Sequence, residues 1–180
     1  MKGQLCGDQG SLWIAGVDQS LSYTAVVCLP LDVWERTEPW ALIRSSSVQT
    51  RPCVTLAGEV SRRAYLAEEL VKFLHKFSVH HVALESPAYR AHMQKHTLPL
   101  LAIMLDRIVA AGMEPWIAPQ TQARKLLLGD CGRKKGDLKV RVRKTLGEPP
   151  DSRPWGYDES DALCVANWLI SELGGRALAA

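Results

Sequence analysis

The 180-residue chain has no C-x-x-C pair, and its five cysteines (Cys6, Cys28, Cys53, Cys131 and Cys164) are odd in number and scattered. That argues against a zinc ribbon and against a disulfide framework, and it suits a reducing cytoplasm. The five histidines (His75, His80, His81, His92 and His96) offer no zinc-type pairing with those cysteines. A strong charge imbalance is missing too: the formal charge is +3, so overall basicity says little and its distribution matters more. The opening MKGQLCGDQGS lacks the apolar core of a signal peptide, and no apolar run approaches the length that spans a bilayer. Internal repeats and low-complexity tracts are also absent. What remains is an ordinary globular composition, 47% hydrophobic and 23% charged, in a length that suits one domain with a sizeable core. These features point to a soluble cytoplasmic protein, or one made inside a host cell.

The chain is organised around residues 13 to 29, WIAGVDQSLSYTAVVCL. Two apolar runs rich in β-branched residues, Trp13–Val17 and Tyr23–Leu29, flank the polar break Asp18–Ser22 and predict a hairpin with an acid closing its first strand. Residues 1–11 read as a loose leader, 12–175 as the domain and 176–180 as a loose tail. Trp40–Val48 reads as a third antiparallel strand. Leu56, Val60, Ala64, Ala67, Leu70, Val71 and Leu74 recur at helical spacing and predict a long amphipathic helix from Thr55 to Phe77. Val79–Leu84 is a short apolar strand that ends in Glu85, repeating the arrangement at Asp18. Then follow an apolar helix Leu98–Ala111, a brief strand Glu114–Ile117, a short helix stopped by Gly129, and a last helix Asp158–Leu173. The order β-β-β-α-β-α-β-α predicts an α/β fold: a five-stranded mixed sheet, an antiparallel meander plus parallel strands, with helices on both faces.

Asp18 and Glu85 then stand where ligands of open α/β sheets gather, beyond the carboxyl ends of parallel strands. Asp158 and Asp161, in YDESDAL, are three apart and share one face of the last helix. Each acid has an ordinary alternative. Asp18 can simply form a turn, and Asp158 can cap the helix and suit its dipole. Asp161 is harder to excuse, because Ala162, Leu163, Val165 and Ala166 beside it must face the sheet. Together the four supply the hard oxygen donors that Mg²⁺ prefers, while four clustered carboxylates without a cation would repel one another.

On these residues the sequence resembles the RuvC-type Holliday junction resolvases of the RNase H-like superfamily, most closely the divergent versions carried by phages. The resemblance runs from Trp13 to about Ile170. Asp18 in IAGVDQS matches the acid ending the family's first strand, Glu85 in VALES the acid of its fourth strand, and Asp158 and Asp161 in DESDAL the paired acids of its final helix. Gln19-Ser20 and Thr24-Ala25 stand where the family commonly has Pro-Gly and Thr-Gly. The resemblance implies a crossover-junction endodeoxyribonuclease with two Mg²⁺ ions per site (Mn²⁺ as a substitute) held by Asp18, Glu85, Asp158 and Asp161. Cleavage of four-way DNA junctions would leave 5′-phosphate and 3′-hydroxyl ends. It further implies that Lys135 lies near the scissile phosphate with Lys134 beside it, and that Tyr89 wedges the junction.

The segment GDCGRKKGDLKVRVRKTLG gathers Arg133, Lys134, Lys135, Lys139, Arg141, Arg143 and Lys144 around a lone Asp137. Leu138, Val142 and Leu146 fall four apart, so residues 137–146 predict a helix with one apolar stripe. Its charged side is either solvated or a phosphate-binding surface, and the resemblance favours the DNA-binding reading. Helix 98–111 is either core or an interface. RuvC-type enzymes pair through a helix at this position, and a two-fold junction that needs two matched cuts suits a C₂ homodimer. The rival functions are an RNA-processing or RNA/DNA-hybrid nuclease of the same fold, and a branched-DNA binding module without catalysis.

Overall fold

A computed structural model describes residues 11–87, 91–129, 135–147 and 156–178, with the backbone alone for 91–96 and 135–137. Its strands are β1 (Trp13–Asp18), β2 (Tyr23–Pro30), β3 (Arg44–Gln49), β4 (His81–Glu85) and β5 (Glu114–Ala118). Its helices are α1 (Pro39–Leu42), α2 (Leu56–His75), α3 (Ala91–Ala110), α4 (Gln120–Leu128), α5 (Lys135–Leu146) and α6 (Tyr157–Glu172). The strand order is β3-β2-β1-β4-β5, with β1 antiparallel to β2, β2 antiparallel to β3, and β1, β4 and β5 mutually parallel. This is the mixed sheet expected from the element order, and β1 is its central strand. Among the described residues no helix is long and apolar enough to cross a membrane.

Side chains alternate between the two faces of a strand, and here they divide the core in two. Ala15, Val17, Val26, Val82 and Leu84 pack under α2 and α3, against Leu66, Leu70, Leu74, Leu100, Met104 and Ile108. Ile14, Ala25, Val27, Leu29 and Ala83 point the other way, toward α4, α5 and α6. Helix α6 is enclosed on all sides, with every residue from Glu159 to Ile170 buried. It lies closest to the sheet at Gly16, where an added Cβ would collide with the Ala162 carbonyl and the Ala166 nitrogen. A residue with a side chain there would hold α6 off the sheet.

Two boundaries differ from the sequence expectation. Pro39 sits in the first turn of the short helix α1, so the third strand starts at Arg44 rather than Trp40. Helix α3 begins at Ala91 rather than Leu98, with Pro99 inside it. Its apolar side is mostly intramolecular core, whereas α6, less apolar in sequence, is the enclosed helix. Beyond α6 the Asn167 side chain donates to the Leu178 carbonyl at 2.8 Å and accepts the Leu178 N–H at 2.8 Å. The candidate residues Tyr89, Arg133 and Lys134, and the side chain of Lys135, lie outside what is described.

Candidate active site

Strand parity decides which acids meet. Asp18 shares its face with Ile14 and Gly16, and Glu85 shares its face with Ala83, so both project to the side covered by α6. The ladder between β1 and β4 runs through Val17 and Leu84, which brings the next two residues, Asp18 and Glu85, to the same sheet end. The first turns of α6 bring Asp158 and Asp161 over that end. All four acids line one cleft of ≈ 420 Å³, with Gln19, Ser20, Tyr23, Ser86, Thr97 and Gln120 among the other walls.

The closeness of the acids has an electrostatic consequence. Asp18's carboxyl is held well above the usual carboxylate range, first by burial and next by the charge of Glu85. Asp161, a hydrogen bond with Glu85 itself, and Asp158 push it the same way. Two carboxyl groups within hydrogen-bonding distance do not both stay ionised unless a cation is shared. The donors are all hard oxygens, so a divalent cation of the Mg²⁺ type is the chemical complement of this end of the cleft. Asp18 and Glu85 at the sheet and Asp158 and Asp161 on α6 are the residues that would hold it.

Gln19 fixes the acid pair. Its side-chain amide donates to the Glu85 carbonyl and accepts the Glu85 N–H, the latter at 3.1 Å. A side-chain amide presents the same donor and acceptor as a peptide group. It therefore extends the β1–β4 pairing by one step just where the two main chains part. This residue stands where the resembled family commonly has proline, which has no amide side chain.

The N-terminus of α6 resolves the alternative reading of Asp158. The cap residue is Gly156, and Glu159 reaches back to accept the Gly156 N–H. The Tyr23 hydroxyl donates to the other Glu159 oxygen at 3.4 Å. Glu159, not Asp158, satisfies the helix start, which leaves Asp158 on the cleft wall. The sequence reading passed over Glu159, although Glu at the third helical position is a recognisable capping signal.

Asp161 is engaged differently. Arg124 on α4 donates to it through a fork of two hydrogen bonds, Nε to Oδ1 and Nη2 to Oδ2, both 2.7 Å. Both side chains are largely buried, 13% exposed for Arg124 and 4% for Asp161. Burial pulls the Arg124 pKa down, and the hydrogen bond and charge of Asp161 outweigh it, so the guanidinium stays firmly protonated. Sequence reasoning missed Arg124. The available signal was position: Arg124 lies three and four residues before Leu127 and Leu128, on the buried stripe of its helix. Among the described residues, no three His, Cys, Asp or Glu side chains are already grouped to hold one ion.

Thermus thermophilus RuvC superposes with a TM-score of 0.64 at 20% identity, over 92% of this chain and 99% of that one. T. thermophilus RuvC in complex with Holliday junction substrate superposes with a TM-score of 0.67 at 20% identity, over 93% and 99%. The chain has the RuvC fold. A Cas12f1–sgRNA–target DNA complex matches more loosely, with a TM-score of 0.50 at 15% identity over 86% of this chain and half of that one. No protein-family model and no curated protein matches the sequence.

On this RuvC fold the basic helix α5 packs Leu138, Val142 and Leu146 inward, as the spacing predicted. Lys144 is exposed, and Lys139, Arg141 and Arg143 are half-buried. Arg141 donates to the Leu128 carbonyl, so it ties α5 to the end of α4. Its charge sits at the α4 C-terminus, where a cation is favoured.

Proposed function

We propose that this protein is a divalent-metal-dependent endonuclease that cuts four-way DNA junctions. The observation that carries this reading is the meeting of Asp18, Glu85, Asp158 and Asp161 from three separate elements in one cleft. The RuvC fold over nearly the whole chain supports the choice of substrate. Mg²⁺, or Mn²⁺ in its place, bound as two ions by these carboxylates would supply the Lewis acidity that activates water and stabilises the departing oxygen. Asp18, which feels the charges of Glu85, Asp161 and Asp158, would hold the metal together with them. Gln19 keeps Asp18 and Glu85 in register, and Gly16 lets α6 deliver Asp158 and Asp161 to them.

Lys135, Lys139, Arg143 and Lys144 on α5, with Arg133 and Lys134 before it in sequence, are the proposed phosphate contacts, and Arg141 adds its charge while bracing α4. Lys135 is the proposed partner of the scissile phosphate and Tyr89 the wedge. Such contacts position the duplex arms without reading sequence, so junction shape selects the substrate. Products with 5′-phosphate and 3′-hydroxyl ends are expected.

Two matched cuts need two sites, and a second copy of this chain is the proposed partner. Leu98, Ala102, Leu105 and Val109 run along the outer side of α3 at spacings of four, three and four. Leu98 and Val109 are large apolar residues left about half exposed there, at 47% and 59%. That spacing is the seam of a helix pair. A cytoplasmic setting, in which Cys28, Cys53 and Cys164 persist as free thiols, goes with this reading.

The test is cleavage of an end-labelled synthetic four-way junction with and without Mg²⁺, beside linear duplex and an RNA/DNA hybrid. Paired, symmetric nicks that require the metal and are lost in Asp18→Asn are expected. Preference for the hybrid would assign the cleft to the RNA-directed alternative. Junction binding without cuts under Mg²⁺ or Mn²⁺ would make this a binding module.

A further inference from the structure

The two ends of the cleft are balanced in opposite ways. At the sheet end, Asp18 and Glu85 are acid against acid, so a cation arriving there relieves a repulsion. At the helix end, Asp161 already has a cation. Arg124 grips both of its oxygens in the bidentate geometry that suits a carboxylate best. The pair is removed from solvent, with Arg124 and Asp161 side chains 13% and 4% exposed, so water is a poor replacement for either partner. A guanidinium keeps its charge at any working pH and cannot yield by losing a proton. A metal ion that needs an Asp161 oxygen must therefore break or share that fork.

We propose that Arg124 is a built-in competitor for the divalent cation: its guanidinium holds Asp161 until an ion displaces it, so the cleft loads first at Asp18–Glu85 and last at Asp161. This rests on the metal-dependent reading above. Arg124 is then a positioning residue with a sign opposite to that of an ordinary prop. A prop makes the ligand available, and its removal weakens metal binding. A competitor withholds the ligand, and its removal strengthens binding. The helix that carries Arg124 packs closely on α6 and also contributes Gln120 to the cleft wall.

The experiment is calorimetric titration of the full chain with Mn²⁺ in the absence of DNA, for wild type, Asp18→Asn, Arg124→Gln, Arg124→Lys and Arg124→Gln/Asp161→Asn. Wild type should show one binding event that is lost in Asp18→Asn, with a second event weak. Arg124→Gln should tighten the second event by about tenfold or more, equal to about 1.4 kcal/mol, and the double variant should lose it again. Arg124→Lys, which keeps a charge but not the fork, should fall between wild type and Arg124→Gln. It serves as the test should Arg124→Gln fail to fold. An unchanged or weaker second event in the folded variants overturns the proposal and makes Arg124 a prop. If wild type binds no Mn²⁺ at all, the metal reading itself falls, a result distinct from binding that ignores Arg124.

Discussion

The two faces of the sheet are built from the same strands, yet they are specialised for opposite tasks. Val17 and Leu84 face α2 and α3 in dry apolar packing. One residue further along each strand, Asp18 and Glu85 face α6 and share a cleft with two more acids. The packed face can be chosen for stability alone. The other face carries like charges held together at some cost, and the devices beside them (Gly16, Gln19, the Glu159 cap and the Arg124 fork) offset that cost. The lesson is that a β-strand's two-residue period separates stability from chemistry within a single element.

The comparison is broken most sharply by Asp18→Asn. Junction cleavage should fall by about 10³-fold or more, since the proposed cation would supply several kcal/mol of transition-state stabilisation. The metal-free protein should nevertheless melt at a higher temperature at neutral pH. Asp18's folded pKa lies above its ordinary value, so its contribution to stability is complete at acid pH and is lost as pH rises through the folded pKa. Melting curves in EDTA across pH should show that loss in wild type and a flatter profile in the variant.

Leu84→Ala tests the opposite face, one residue from Glu85. Leu84 is fully buried, and its truncation should cost about 2–5 kcal/mol in denaturant melts. At a temperature where the variant is folded, the metal concentration for half-maximal cleavage should match wild type.

Gly16→Ala should destabilise by about 1–3 kcal/mol, because the new methyl meets helix backbone and not a movable side chain. Unlike Leu84→Ala, it should also weaken metal binding, since α6 carries two of the proposed ligands away from Asp18. A calorimetric Mn²⁺ titration that matched wild type would show that the two faces are not separable in this way.

Gln19→Leu is the finest probe. It leaves the Glu85 N–H and carbonyl without their side-chain partner, at about 1–3 kcal/mol. The metal requirement should rise while the cleavage rate at saturating metal stays near wild type. A fall in the saturated rate with an unchanged metal requirement would assign Gln19 to catalysis and not to positioning.

Much of this molecule is readable along the chain. The strands bearing Asp18 and Glu85 announce themselves as apolar runs that each end in an acid, and the periodicity from Leu56 to Leu74 is a helix by inspection. The stripe Leu138–Val142–Leu146 is equally plain. Other features are not readable, because they depend on what lies opposite. Pro39–Leu42 looks as much like the start of a strand as like a helical turn. Helix α3 is the more apolar in sequence, yet α6 is the one enclosed, because a helix against the central strand is covered by its neighbours on every side. Arg124 and Asp161 are 37 residues apart, and no local pattern pairs them.

The sequence by itself therefore determined the elements, their order and the four acids with the strand and helix ends that bear them. Local chemistry is enough for these, since periodicity and strand-end charges act over a few residues. Only the tertiary structure decided the state of each acid. Asp18 is pressed against Glu85 in a register kept by Gln19, Asp158 is left on the cleft wall by the Glu159 cap, and Asp161 is held by Arg124. A carboxylate's protonation and its readiness for a cation are set by charges and burial within a few ångströms in space, whichever part of the chain supplies them.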